Sequence, residues 1–325
     1  ADSGDCGLLL VKGGIIGIEG VTFQYGYLSN NDAKSNECGS GIYINGNVNS
    51  TSVELTDCII RDCKTEAVNG QGGVAGGTAI LIASGSSKLN NVKFLDNAAD
   101  SRGGAIRCNS NKAVVFMNNC LITGNSVREL FGVGIQISSG HICMNNTTIV
   151  GNPGKGAALN GGGSFMLANS TIVGHDIDQE YGAFRCETSI DGDTKFINNL
   201  LISENSTAPS FILNGANKEA YSMGYNLYQR VNNFTMGVSD TAYPTLVNGN
   251  LTEEGVYKWN IDQIGQVGGY ATKQAVINAV KSFNPNLGEV FVEWMGEDAF
   301  GLDQRGVTRN PNKMQMGAYD AVLSN

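Results

Sequence analysis

Proline is nearly missing from this sequence, 5 in 325 residues, and charged residues make up only 16%. That balance excludes a collagen-like chain, which needs periodic proline, and a disordered linker, which needs high polarity. Nowhere do 18 apolar residues run together, so no transmembrane helix is written here and the chain is not expected to be membrane-embedded. Histidine occurs twice, and the eight cysteines contain no Cys-x-x-Cys pair, which argues against zinc and dithiol redox motifs. The opening Ala-Asp-Ser-Gly-Asp has neither the basic nor the apolar region of a signal peptide, so an export signal is expected to lie outside this sequence. Positive charge is also short: 21 Lys and Arg against 30 Asp and Glu give a net charge of -9. Nucleic acid and anionic membrane surfaces repel such a chain. Cationic ligands, neutral glycans and proteins remain as partners.

What is abundant is glycine, 44 residues, roughly twice an ordinary share, together with a repeat. Phe23, Ile60, Phe94, Ile122, Ile149, Ile172 and Ile202 form a reference column. Five residues before each stand Ile18, Leu55, Leu89, Met117, Met144, Leu167 and Ile197. Three before stand Gly20, Asp57, Asn91, Asn119, Asn146, Asn169 and Asn199, and three after stand Gly26, Cys63, Asn97, Asn125, Asn152, His175 and Asn205. A second block lies between copies: Gly39-Ser40-Gly41-Ile42, Gly77-Thr78-Ala79-Ile80, Gly103-Gly104-Ala105-Ile106, Gly132-Val133-Gly134-Ile135, Gly156-Ala157-Ala158-Leu159 and the weaker Tyr181-Gly182-Ala183-Phe184. Its anchors at 42, 80, 106, 135, 159 and 184 are separated by 38, 26, 29, 24 and 25 residues.

Apolar residues two apart, with a change of phase at the asparagine, describe short strands joined by a bend. Asparagine tolerates the left-handed backbone that a bend needs, and its amide can bond the amide one coil above. The expected fold is therefore all-β: a single-stranded right-handed parallel β-helix of about eight coils, three short strands per coil, stacked at about 4.8 Å. The columns fade after about residue 229. Residues 1–229 are expected to be the β-helix, and 230–325 a mixed C-terminal cap packed on the last coil, because a bare solenoid end invites aggregation. An N-terminal extension is expected as well, since residues 1–16 offer no amphipathic cap. Within the tail, Asp303-Gln304-Arg305-Gly306 and Arg309 suggest a turn held by carboxylate–guanidinium bonds. Cys58, Cys108, Cys120 and Cys186 fall in inward columns and read as small core residues; Cys6 and Cys38 are close enough in the scheme to pair.

Phe94-Leu95-Asp96-Asn97 followed by Gly103-Gly104-Ala105-Ile106 resembles the FxxN and GGA[ILV] pair of the polymorphic outer-membrane protein repeats of bacterial surface proteins. The ending Asp303-Gln304-Arg305-Gly306, Arg309 and Gly317-Ala318-Tyr319-Asp320 resembles the D-x-R-G-x-x-R…G-A-[YF]-[DE] close of secreted bacterial β-helix proteins of the choice-of-anchor Q type. The resemblance implies an extracellular, secreted or outer-membrane-associated cell-surface protein, often adhesive, and specifies no chemistry.

The residues after the anchors, Tyr43, Leu81, Arg107, Gln136, Asn160 and Arg185, form an outward column with small residues before the anchors. A flat floor with one row of projecting side chains is expected, on which a polysaccharide or surface protein can lie. Hydrolysis of a glycoside needs two carboxylates across the bond, and the column holds none. Asp100 and Glu129 stand in turns beside it. Asp176, Asp178 and Glu180 alternate in a loop with a spacing that suits Ca²⁺, although acidic loops are usually only solvated; no cofactor is otherwise implied. His141 and His175 read as turn and ladder residues. The leading expectation is a monomeric surface or secreted binding protein; the alternatives are a polysaccharide lyase, using Arg107 or Arg185 as base or clamp, or a glycoside hydrolase acting on an acidic polysaccharide in the same groove, and a passive spacer.

Overall fold

The computed structural model describes residues 7–29, 39–47, 50–66, 79–100, 102–128, 132–174, 182–186, 193–203, 211–213, 219–229, 231–232, 239–242, 249–251, 257–259, 270–315 and 317–318. Short strands follow one another around a common axis, and each pairs in parallel with its counterpart one coil on. The first face runs from Leu9–Val11 through Ile42–Asn45 and later strands to Val231–Asn232, nine strands in sequence order. A second face, from Gly14–Glu19 to Glu219–Ser222, merges with the first where Ile80–Asn90, Ile106–Asn118 and Ile135–Asn145 run through the corner unbroken. The third face again holds nine strands, Thr22–Gln24 to Thr241–Ala242, and a short fourth sheet pairs Tyr27–Ser29, Lys64–Glu66, Ala98–Ala99 and Ser126–Val127. This is a right-handed parallel β-helix, the hand that parallel crossovers take.

The reference column holds through Phe23, Ile60, Phe94, Ile122, Ile149 and Ile172. It then continues to Leu201, not Ile202. The sequence Ile197-Asn198-Asn199-Leu200-Leu201-Ile202 carries two adjacent asparagines and three adjacent aliphatics, so its phase is ambiguous. Asn198 takes the bend, with φ 58°, while the Asn199 side chain turns inward and its Oδ1 accepts from Ser170 N at 2.9 Å. Phe196 accordingly replaces Ile197 in the inward column.

Asn91, Asn119, Asn146, Asn169 and Asn198 stand in one file, each left-handed with φ between 48° and 58°, and each donates its backbone N–H to the coil above. The amide-to-amide ladder is clearest elsewhere. Asn97 Nδ2 donates to Asn125 Oδ1 (2.8 Å), and Asn125 Nδ2 to Asn152 Oδ1 (3.0 Å), three asparagines sealed in the interior. A buried amide has four hydrogen-bonding sites, and stacking coils satisfy most of them at once.

The inward aliphatics form one continuous core, which includes Cys58, Cys63, Cys108, Cys120 and Cys186. These five and Cys143 are free thiols, and burial pushes Cys108 and Cys120 up to about 12. Cys6 and Cys38 lie outside the described residues.

The described part of the tail, residues 270–315 and 317–318, packs along the side of the β-helix against its second face. Helix α1 (Lys273–Lys281), capped by Thr272, α2 (Pro285–Met295) and the 3-10 turn Glu297–Gly301 bring Val276, Val280, Phe291 and Phe300 onto Phe116, Cys143, Met166, Ala168 and Ile197 of the second face. Those outward residues are apolar and need cover. Asp303 holds its turn as the sequence suggests, accepting from Arg305 Nε at 2.9 Å and from Val307 N at 3.0 Å. Arg309, 2% exposed, fixes the tail by a second set of bonds. Its guanidinium donates to the carbonyls of Leu302, Gln315 and Gly317 and to Asn146 Oδ1, which fastens the tail to the asparagine file.

Candidate functional site

On the first face, alternate residues of each strand point into the core: Ile42 and Ile44, Ile80 and Ile82, Ile106 and Cys108, Ile135 and Ile137. The residue between each pair must point outward. Parallel register places Tyr43, Leu81, Arg107, Gln136, Asn160 and Arg185 in one row, continued by Leu10 below and Ile212 above. Four polar rungs, Arg107 to Arg185, thus lie between Leu81 and Ile212, a strip about 14 Å long at three strand spacings.

The row is assembled as the sequence implies, but it does not project. Relative exposure is 6% at Tyr43, 0% at Leu81, 7% at Arg107, 2% at Gln136 and 0% at Asn160; Arg185 is half-buried. The floor is therefore closed, where the sequence led us to expect an open one. The physical reason lies in the glycine three residues before the anchors Ile42, Ile106 and Ile135. A Cβ on Gly39 would strike Ile42 O and Leu81, one on Gly103 would press on Arg107 Cβ, and one on Gly132 would strike Ile135 O and crowd Gln136. The chain entering each strand doubles back over the outward side chain, and only glycine permits so close an approach. Lower in the stack, Leu28 packs with Tyr43 and Leu81.

Gln136 is locked: its Oε1 accepts from Gly132 N at 2.8 Å and from Asn160 Nδ2 at 2.9 Å. Asn160 Oδ1 is buried without a donor, and Arg107 Nε and Nη1 are buried without an acceptor. Burial pulls the Arg107 pKa down to about 10, and the like charge of Arg102 adds to it. Asp100 does not serve as counter-ion. Its carboxylate, 6% exposed, is held by Arg128 at 2.7 Å. Glu129, Asp176, Asp178 and Glu180 lie outside the described residues. Among the described residues no three His, Cys, Asp or Glu side chains are gathered as metal ligands, and no helix is long and apolar enough to cross a membrane.

The family model described as right handed beta helix region matches residues 2–177, over half of the chain. The chain belongs to the right-handed β-helix family. No curated protein and no solved structure matches it. Membership in the right-handed β-helix family accounts for the stacked columns and the core. It does not account for an arginine buried on the outside of a sheet beside a second arginine. Sequence reasoning placed Arg107 in the row but missed its burial and the neighbouring Arg102; the sign available was the glycine three residues ahead of the anchors from Ile42 to Leu159.

Proposed function

We propose that this is an exported, adhesin-like surface protein that binds a glycan or a partner protein through the first face, at the strip from Arg107 to Arg185. The observation that carries this reading is the Arg107 guanidinium, buried on the outward side with Nε and Nη1 unbonded. A charge so placed costs stability unless something pairs with it, so its retention favours a ligand over a packing role. The resemblance of the Phe94–Ile106 segment and of the 303–320 ending to bacterial surface proteins supports export.

The test is a glycan array together with a panel of surface proteins. Binding that falls by at least about tenfold in an Arg107→Ala, Arg185→Ala double variant supports the strip, a loss expected when one side of a charged contact is removed. Unchanged affinity moves the site elsewhere, and silence across both panels favours a passive spacer. A polysaccharide lyase is the second reading, because the proton of Arg107 is held less tightly than in solvent, the direction a base requires. Uronate polymers that develop no ultraviolet absorbance from unsaturated ends, with or without Ca²⁺, would remove that reading. The Ca²⁺ arm also probes the carboxylates Asp176, Asp178 and Glu180.

A further inference from the structure

We infer that the first coil is a docking edge for a second copy of this chain, and that two copies join there end to end about a two-fold axis through Gly17. The inference goes beyond the binding role proposed above and does not use the strip from Arg107 to Arg185.

Among the described residues, Leu9–Val11, Gly14–Glu19 and Thr22–Gln24 each pair with a strand of the next coil on one side only. Their inward side chains Leu9, Ile16, Ile18 and Phe23 pack against the core yet are only partly buried. Their register partners one coil on, Ile42, Val53, Leu55 and Ile60, are all at 0% exposure. Six of the eleven exposed large hydrophobic residues among those described, Leu8, Leu10, Ile15, Val21, Tyr25 and Tyr27, belong to this one coil. Strand edges are normally defended by lysine, by other charges or by proline, and residues 7–29 contain one lysine, one glutamate and no proline. An edge left so bare invites strand addition.

The edge also says what fits it. Its outer backbone groups call for another strand edge, and its near lack of charge gives a charged partner nothing to hold. It is complementary to itself: Gly14-Ile15-Ile16-Gly17-Ile18-Glu19-Gly20 reads almost the same in both directions about Gly17. Antiparallel pairing of this strand with its copy, Gly17 on Gly17, sets Ile16 against Ile18 of the second copy and Ile18 against Ile16. Inward residues then meet inward ones, and the two cores become continuous. The same axis brings Leu9–Val11 of one copy beside Thr22–Gln24 of the other, which closes an isologous contact. The central glycine points the same way. Gly17 is outside the left-handed region, and a Cβ on it would meet nothing within 4 Å, so the fold of one chain does not call for glycine there. Inside a strand, glycine marks a place where another backbone comes close.

Sedimentation velocity of the whole chain, from about 1 to about 100 µM, tests this, and a monomer–dimer equilibrium is expected. Gly17→Lys and Gly17→Glu each set like charges face to face across the axis and should weaken the dimer at least about tenfold. An equimolar mixture of the two variants should restore it as a mixed pair. Ile15→Lys, set against Glu19 of the second copy, should tighten the dimer, and Ile15→Glu should loosen it. Ile15 is 81% exposed and Gly17 has open space around it, so the fold of the single chain tolerates these changes. Should a Gly17 variant fail to fold, the opposite shifts of the two Ile15 variants decide. A chain that stays monomeric at about 100 µM overturns the inference. So does a dimer indifferent to Gly17→Lys, or a series of ever larger species, which is head-to-tail stacking of unlike ends. Loss of the dimer in both Gly17 variants without recovery on mixing overturns it too, because the two glycines would then not face each other.

Discussion

Two buried arginines divide the molecule into a joint and a proposed site. Arg309, 2% exposed, gives its N–H groups to three carbonyls and an asparagine, and through them the tail is pinned to the β-helix. Arg107, 7% exposed, has Nε and Nη1 buried with no acceptor. Equal burial with opposite bonding separates a residue kept for stability from one kept at a cost to stability. The same contrast extends to their surroundings: the second face carries apolar residues beneath two helices, and the first carries polar ones beneath glycine turns.

The sharpest way to break this contrast is Arg309→Met, which should destabilise by about 4 kcal/mol in urea unfolding, since several buried acceptors lose a charged donor together. A loss under about 1 kcal/mol would show that the joint does not depend on it. Phe291→Ala, in the apolar contact between α2 and the second face, should cost about 3 kcal/mol by the same measurement. Arg107→Met should do the opposite and leave the ligand-free protein as stable or about 1 kcal/mol more stable, because an unmatched buried charge gives way to an apolar side chain of similar length. A large loss there would mean that Arg107 has a structural role.

The smallest effect is in the pH dependence. Burial lowers the folded-state pKa of Arg107 to about 10, well below the ordinary value for a guanidinium. Above about pH 10 the unfolded chain therefore holds this proton more firmly than the folded one. The contribution of Arg107 to stability should rise with pH in that window and be at its worst below it. The stability advantage of Arg107→Met over the wild type should shrink as pH climbs past 10, compared at each pH in paired urea curves.

Much of the fold could be read without coordinates because asparagine at a left-handed bend and aliphatics two apart are demands of the backbone itself, as the file from Asn91 to Asn169 shows. The phase slip at Asn198 could not, since two asparagines in a row satisfy the local rule equally and only contacts between coils, with Ser170 N, Leu167 O and Asn226 Oδ1, select Asn199 for the interior. The side-docked tail left a trace that was passed over. Val114-Val115-Phe116-Met117 and Phe165-Met166-Leu167-Ala168 are apolar without alternation, the mark of strands covered on both sides. The site was half legible: register gave the row, but whether a row is open depends on how the chain enters each strand, and column positions do not encode that.

Stacked repeats ordinarily come apart a unit at a time, since each one leans only on its neighbours. Here the tail reaches from Trp294 on Glu54 through Gln304 on Cys120 to Gly317 on Asn198. It works like the spine of a bound book: no early page can be turned out until the binding along several of them is released, so melting should gather into one abrupt event.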